Sequence, residues 1–323
     1  MKAIVYTHYG SPDVLQFKEV EKPTPREDEV LIKVHAASLN AADWHYLRGT
    51  PFLFRLATGF PKPKNPFLGA DLAGRVETVG RNVTQFQPGD EVFGDLSESG
   101  RGTFAEYVCA SENALALKPA NISYEEAAAV PMAAVVALQA LRTGKIQSGQ
   151  KVLINGASGG VGMFAVQIAK SFGAEVTAVC STRNLEMLRS IGADHVIDYR
   201  REDFIQNGQH YDLILAVNGY RSISDYKRAL SPSGRYVMSG GTTAQMFEAM
   251  LLGPWMSRNG SQKMGNLAAK PNQKDLIFVK ELLENGKVVP IIDRCYPLRE
   301  VADAIRYLEE GHAQGKIVIT VAT

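Results

Sequence analysis

The sequence predicts an α/β protein in which a doubly wound parallel sheet is joined to a β-rich N-terminal domain. Three observations carry this expectation. Before Ser123 the chain alternates short apolar strands with Gly, Pro and Asp turns. Beyond residue 150, strand patterns alternate with helix patterns. Between the first strand and the first helix of that second region stands Gly156-Ala157-Ser158-Gly159-Gly160-Val161-Gly162. Strands separated by tight turns favour an antiparallel, barrel-like domain, whereas repeated strand–helix units demand a parallel sheet covered on both faces.

With 323 residues the chain exceeds what a single core usually organises. Strands are expected over residues 2–6, 29–35, 72–79 and 91–93, with Pro88-Gly89-Asp90 as a turn. Ser123 followed by Glu126 has the form of a capping box, and the Ala-rich run 127–141 behind it reads as one helix. Then come strand 151–155, helix 161–172 stopped by Gly173, strand 175–180, helix 184–191 closed by Gly192, and strands 195–197 and 211–217. Helix 222–230, strand 235–239 and helix 274–284 complete this region. The tail offers strand 288–292, helix 299–309 and strand 316–321, a set with no partner of its own that is expected to return to the first domain. The expected division is therefore 1–122 with 286–323, and 123–285.

Composition excludes several classes. Lys plus Arg total 35 against 34 Asp plus Glu, without a dense basic block, so nucleic acid is not an expected partner. The N-terminal residues turn polar too early for a signal peptide, and no apolar run reaches the roughly 18 residues of a membrane span. Cys109, Cys180 and Cys295 are scattered, without metal-ligand or redox spacing, which fits a reducing, cytoplasmic setting. His35, His195 and His210 read as structural histidines, and no Ser/His/Asp or Cys/His constellation stands out.

The glycine turn gains its meaning from context. In the A-x-G-x-x-G form, Ala157 takes the tight turn, Gly159 lets the backbone approach a pyrophosphate, and Gly162 lets helix and strand pack closely. The helix N-terminus then offers free N–H groups to the phosphates. A P-loop is set aside because Met163-Phe164 follows Gly162. A short-chain dehydrogenase is set aside because the turn is mid-chain and no suitable Tyr-x-x-x-Lys follows. An NAD enzyme usually presents an acid at the end of the second strand; here Ser181, Thr182 and Arg183 stand there. Hydroxyls and a guanidinium suit a 2′-phosphate, so NADPH is the expected cofactor. The other reading of Arg183 is a solvated helix-start residue.

The order of these parts resembles the medium-chain dehydrogenase/reductase superfamily, in its quinone oxidoreductase and enone reductase branch. The pieces that carry the resemblance are Ala37-Ser38-Leu39-Asn40-Ala41-Ala42-Asp43, Gly69-Ala70-Asp71-Leu72-Ala73-Gly74, Pro88-Gly89-Asp90-Glu91-Val92, His195-Val196-Ile197-Asp198-Tyr199 and Gly311-His312-Ala313-Gln314-Gly315-Lys316. The resemblance implies a Rossmann domain, a GroES-like N-terminal domain completed by the tail, and a homodimer joined through the edge strand near 263–267. Zinc enzymes of the superfamily carry Cys where Asn40 stands, a His-Glu pair where Ala70-Asp71 stands, and a four-cysteine lobe near 95–103. Three ligands and an open position are needed for catalytic zinc, so metal-independent chemistry is expected.

By the same resemblance, Ser158, Gly159, Gly160 and Val161 hold the pyrophosphate, and Ser181, Arg183 and Tyr199 the adenosine phosphate. Val217, Ser239 and Gly240 line the strand ends, and His312, Ala313, Gln314 and Lys316 reach in from the tail. Val136 stands where relatives often have Thr. Asn40 and Tyr46 are the expected catalytic residues, with Tyr46 read as proton donor or polariser, or else as a packing aromatic. The apolar stretches 52–60 and 246–256 are expected to wall a hydrophobic acceptor; the second alternatively serves as core, dimer interface or loose membrane contact. The implied activity is NADPH-dependent reduction of a quinone or an α,β-unsaturated carbonyl. The alternatives are an NADPH-binding sensor without turnover and a zinc-free alcohol dehydrogenase.

Overall fold

Why the tail follows a helical region and yet belongs with the first residues is answered by strand pairing. The computed structural model describes residues 1–218, 221–241, 243–258 and 261–321, apart from the side chains of Thr243, Ala244, Met246, Phe247, Pro254 and Trp255. The chain divides into two units, Met1–Ala133 with Pro271–Glu284 and Pro290–Thr323, and Ala134–Lys270 with Asn285–Val289.

In the first unit a seven-stranded sheet runs in the order Ile292–Pro297, Lys316–Thr320, Glu29–Ser38, Asp71–Val79, Glu91–Asp95, Leu115–Leu117, with Tyr107–Ser111 also on Glu29–Ser38. Pairing is antiparallel except between the two tail strands. The tail strand Lys316–Thr320 reads K-I-V-I-T, a β-branched run buried from Lys316 to Ile319, and it sets Val318 opposite Ser38. Its partner starts at Ile292 rather than at 288, since Pro290 brings no N–H to a ladder. One core packs Ile4, Leu39, Leu47, Phe104, Ile305 and Ile319 together, and another packs Val30, Ile32, Leu72, Val92 and Leu115.

Within the second unit six strands form a wholly parallel sheet, ordered His195–Asp198, Glu175–Cys180, Lys151–Asn155, Tyr211–Ala216, Leu230–Met238, Lys263–Asn266. The central strands are buried on both faces, as helices on either side require: Val152, Leu153, Ile154, Leu213, Ile214 and Leu215 are fully enclosed. The doubly wound fold expected from the sequence is the fold observed. The order reverses between Lys151–Asn155 and Tyr211–Ala216, the switch point at whose carboxyl end such sheets bind ligands.

One helix expectation is corrected, and one stretch left open by the sequence gains a structure. The Ala-rich run is two helices, Tyr124–Ala128 and Pro131–Thr143, because Pro131 has no N–H to continue the first ladder and instead opens the second. The apolar stretch 246–256 lies in a helix, Thr243–Met256, which leaves Met250 and Leu251 exposed while Ala249 is buried.

Candidate active site

The glycine turn is built as a strand-to-helix corner. Strand Lys151–Asn155 ends, three turn residues follow, and helix Gly160–Ser171 begins with Gly159 as its N-cap. Ala157 lies in the tight turn, as expected, and Gly156 before it takes the left-handed conformation, at φ +86. A Cβ on Gly156 would lie 2.8 Å from the Asn218 nitrogen, so no other residue fits. Gly162 is pressed against the strand end, where a Cβ would meet the Gly156 oxygen at 2.2 Å. Gly159 differs: its nearest neighbour to an added Cβ is 3.8 Å away, which leaves room for an approaching group. The first N–H groups of this twelve-residue helix have no intrahelical acceptor, so with the open approach over Gly159 they form a site for an anion.

The other residues expected at this end of the second unit gather around that corner. Val217 N–H donates to Asn155 O at 2.9 Å, and Ser239 N–H donates to Ala216 O at 2.9 Å. Gly240 passes so close to Val217 that a Cβ would sit 2.3 Å from its carbonyl. Ser239 Oγ is buried and has no hydrogen-bond partner among the described residues, so it is available to an added ligand. Ser181 caps a single turn, Thr182–Asn184, at the end of Glu175–Cys180; its hydroxyl receives the Asn184 amide at 3.2 Å. Arg183 is exposed on that turn, and Tyr199 is exposed at the end of the neighbouring strand, its N–H donating to Cys180 O at 3.1 Å. The acid nearest these groups, Asp198, is turned inward: it accepts from Thr182 Oγ1 at 2.5 Å and from Arg200 N–H at 3.0 Å. Those hydrogen bonds, Thr182 first, hold its carboxyl below the usual range.

A buried polar network occupies the first unit. Sheet register sets Val318, Ser38, Asp71 and Asp95 abreast on adjacent strands, and Lys316 enters two residues before Val318. Asp71 Oδ2 accepts from Asn40 Nδ2 at 2.8 Å and Ser38 Oγ at 3.1 Å, and its Oδ1 accepts from Met132 N–H at 2.9 Å. Lys316 Nζ donates to Asn40 Oδ1 at 2.6 Å and Leu39 O at 3.0 Å, and lies 3.5 Å from Asp71. Asp71 is 0% and Lys316 3% exposed, so the ammonium expected at the cofactor is enclosed in this network. Burial pushes Asp71 up and Lys316 down, and each partner's charge opposes the other's shift. Asn40 is thereby held at both ends of its amide while capping helix Ala41–Arg48, whose Asp43 receives the Asn40 N–H at 2.7 Å. Burial pushes the Asp43 carboxyl up to about 7 and that of Asp95 to about 6. The sequence reading treated Asp71 only as a missing ligand; its four partners lie far away in sequence and left no local signal.

Tyr46 projects from the same helix. Its ring meets Phe54 edge-on at 4.6 Å, and the guanidinium carbon of Arg101, a residue absent from the expected site, lies 3.1 Å from its centroid. Beside it, Phe52, Leu53, Leu56 and Phe60 of the expected wall are 61–70% exposed, an apolar surface with no cover within this unit. In the second stretch, Met246, Phe247, Pro254 and Trp255 have side chains outside the described residues. From the tail, Gln314 N–H donates to Asp293 at 3.0 Å, Ala313 packs on the core of the first unit, and His312 is exposed. Among the described residues no group of three His, Cys, Asp or Glu side chains is placed to hold a metal, and no helix is long and apolar enough to cross a membrane.

Comparison with known proteins agrees with this architecture. Residues 26–120 match the alcohol dehydrogenase GroES-like domain, and residues 191–319 match a family described as zinc-binding dehydrogenase. The chain is 39% identical to a 2-methylene-furan-3-one reductase of Solanum lycopersicum, with 99% of this chain and 79% of the relative covered. It is 36% identical, with the same coverage, to an NADPH-dependent alkenal/one oxidoreductase of Arabidopsis thaliana. Among solved structures, the quinone oxidoreductase of Coxiella burnetii superposes with a TM-score of 0.89 at 32% identity, covering 100% of this chain and 99% of that one. Sheet order, glycine corner and these relatives converge: the chain is an enzyme of the medium-chain dehydrogenase/reductase superfamily, in its quinone oxidoreductase and enone reductase branch.

Proposed function

We propose that the protein reduces quinones or α,β-unsaturated ketones and aldehydes with NADPH, without zinc. The observation that carries this reading is the closed network of Asn40, Asp71, Ser38 and Lys316. Where the zinc enzymes hold their metal, this chain has an amide and a carboxylate already spent on each other and on an ammonium. Ala70 is apolar and buried, and Cys109, Cys180 and Cys295 lie on three separate strands. The residues do not fit zinc, despite the description of the matching family.

They do fit a phosphorylated dinucleotide. Ser158, Gly159, Gly160 and Val161 offer the open helix start, Ser239 Oγ is an orphaned buried hydroxyl beside Val217 and Gly240, and Ser181, Arg183 and Tyr199 present hydroxyls and a cation. With no outward-facing acid at that strand end, a 2′-phosphate meets no repulsion, which supports NADPH over NADH. When bound, the reduced nicotinamide supplies hydride to an acceptor that needs no metal polarisation. Asn40, fixed by Asp71 and Lys316, holds one face of the site rigid; Tyr46 offers a hydroxyl; Phe52, Phe54 and Phe60 exclude water from an apolar acceptor. The Lys316 ammonium positions Asn40.

A dinucleotide-oxidation screen over quinones, enones, enals and aldehydes, with NADH in parallel and simple alcohols in the reverse direction, tests the reading. Turnover of enones or quinones with NADPH is expected. Tight NADPH binding without turnover would make the protein a sensor, and NADP-dependent oxidation of alcohols would make it a zinc-free alcohol dehydrogenase. Stoichiometric zinc in protein purified from metal-replete medium would overturn the metal-free part.

A further inference from the structure

Arg101 stands in a short loop between strands Glu91–Asp95 and Tyr107–Ser111, and its backbone sits at φ +57 between Gly100 at +121 and Gly102 at +114. A non-glycine residue in the left-handed region is strained and persists only where its surroundings dictate it. The surroundings do so here. Ser99 and Arg101 N–H both donate to Leu96 O, Gly102 and Thr103 N–H both donate to Gly69 O, and the Asn65 amide donates to Gly100 O. Leu96 and Thr103, at the two ends of the loop, are fully buried. The loop is thus a fixed mount for one side chain.

That side chain is half-buried over the Tyr46 ring, with its carbon 3.1 Å from the centroid. A guanidinium carries five N–H donors, and among the described residues none of those of Arg101 has an acceptor. Asp43 and Asp95 are near enough for Arg101 to draw their carboxyls down, yet neither is hydrogen-bonded to it. The Tyr46 hydroxyl likewise has no partner among the described residues. Two donor groups are therefore stacked together, unspent, next to the exposed apolar surface of Phe52, Leu53, Leu56 and Phe60.

We propose that Arg101, with Tyr46, binds the carbonyl oxygen of the acceptor and stabilises the negative charge that oxygen gains. The inference rests on the reduction proposed above. As the β-carbon of an enone takes up hydride from the reduced dinucleotide, the carbon–carbon π pair shifts to join the carbonyl carbon, and the carbonyl π pair moves onto oxygen. The resulting enolate is bound by the guanidinium; its α-carbon then takes a proton from water, which leaves as hydroxide and restores the carbonyl. For a quinone the same two electrons arrive with hydride, and the product phenolate takes its second proton from water. The guanidinium remains charged throughout, and it meets the developing oxyanion with fixed donors in place of a metal.

Two variants and two readouts test this. Arg101→Asn removes the charge while keeping a residue that tolerates the left-handed backbone, and Arg101→Lys keeps the charge. Loss of one such oxyanion donor lowers kcat by about 10²-fold, so Arg101→Asn is expected to lose about that much on enones with KM little changed, and Arg101→Lys to recover at least about tenfold of it. Independently of turnover, para-nitrophenol bound to the full chain with the oxidised dinucleotide reports oxyanion stabilisation through its absorbance. Its bound pKa is expected to rise by about two units in Arg101→Asn relative to the unsubstituted protein, the same factor expressed as protonation. An unchanged kcat and an unchanged bound pKa in Arg101→Asn would overturn the proposal. So would an Arg101→Lys no better than Arg101→Asn, which would mean that the side chain merely props the Tyr46 ring. If the unsubstituted protein turns over no acceptor, the functional reading fails, and the para-nitrophenol titration still decides the role of Arg101.

Discussion

Gly159 and Gly162 lie three residues apart in the same turn, and the structure predicts opposite consequences for replacing them with alanine. At Gly162 the new Cβ would sit 2.2 Å from the Gly156 oxygen and 2.7 Å from the Ala157 carbon and Cα. All three are backbone atoms with no rotamer to escape into. Restoring an ordinary contact of at least about 3.2 Å means lifting the first helical turn by about 1 Å away from a close-packed strand end, which costs roughly 1–3 kcal/mol. At Gly159 the nearest atom to the new Cβ is 3.8 Å away and φ is −79, so alanine is accepted without strain. Its reduced freedom in the unfolded chain makes Gly159→Ala neutral or more stable by about 0.4–1 kcal/mol. The space it fills is where the proposed binding mode brings a pyrophosphate to the backbone. Urea unfolding and calorimetric titration with NADPH, run on both variants, separate the two effects. Gly162→Ala should lose stability and binding together; Gly159→Ala should keep its stability and bind NADPH at least about tenfold more weakly. A Gly159→Ala protein that folds and binds NADPH like the original would refute the placement of the phosphates on this turn.

Three further outcomes follow from the same geometry. Lys316→Met leaves the Asp71 carboxylate buried without its cation and should destabilise by about 3–5 kcal/mol, whereas Lys316→Met combined with Asp71→Asn should regain most of that loss; additive losses in urea unfolding would show that the two side chains do not act as a pair. Burial raises the Asp43 carboxyl from 3.8 to about 7, so the folded protein holds an extra proton between these values. Stability of the original relative to Asp43→Asn should therefore fall as pH rises from about 4 to about 7 and stay level above, and a difference independent of pH would refute the shift. Arg183→Glu should weaken NADPH binding by about 10- to 100-fold, the value of a charge-assisted contact, while leaving NADH binding similar or improved; equal losses for the two dinucleotides would remove Arg183 from the phosphate site.

How much of this was legible depends on the range of the interaction. The parallel sheet could be read because each strand–helix unit declares itself locally, with buried β-branched strands, glycine stops after helices such as Gly173 and Gly192, and right-handed crossovers that restrict the topology. The glycine corner could be read because its requirements are steric and lie within seven residues. The left-handed backbone at Gly156, which opens that turn, is a finding of the structure, because the pattern names the turn without naming the residue that carries its positive φ. The break at Pro131 was present in the sequence but outweighed by the helix propensity of the alanines around it. Lys316 shows the limit. Motif order places it at the cofactor, whereas its partners within the chain, Leu39, Asn40 and Asp71, could not be read from sequence, because they are brought to it by pairing of the tail strand with Glu29–Ser38, a contact across more than 240 residues.

The same limit explains why Arg101 was passed over. Residues 95–103 hold no cysteine, and nothing local in Gly100-Arg101-Gly102 tells which side chain the loop will meet. Only the fold shows that Gly100 and Gly102 bracket a side chain that the loop aims at Tyr46. The proposed zinc-free chemistry has two physical parts. Asn40, Asp71 and Lys316 hydrogen-bond one another, and groups held in such a network fix geometry more than they respond to charge developing elsewhere. Charge on an acceptor has to be met by a group that is rigidly mounted and still unspent. The Arg101 guanidinium, stacked on the Tyr46 ring, is a cation that meets both conditions, which is why the proposed oxyanion role falls to it.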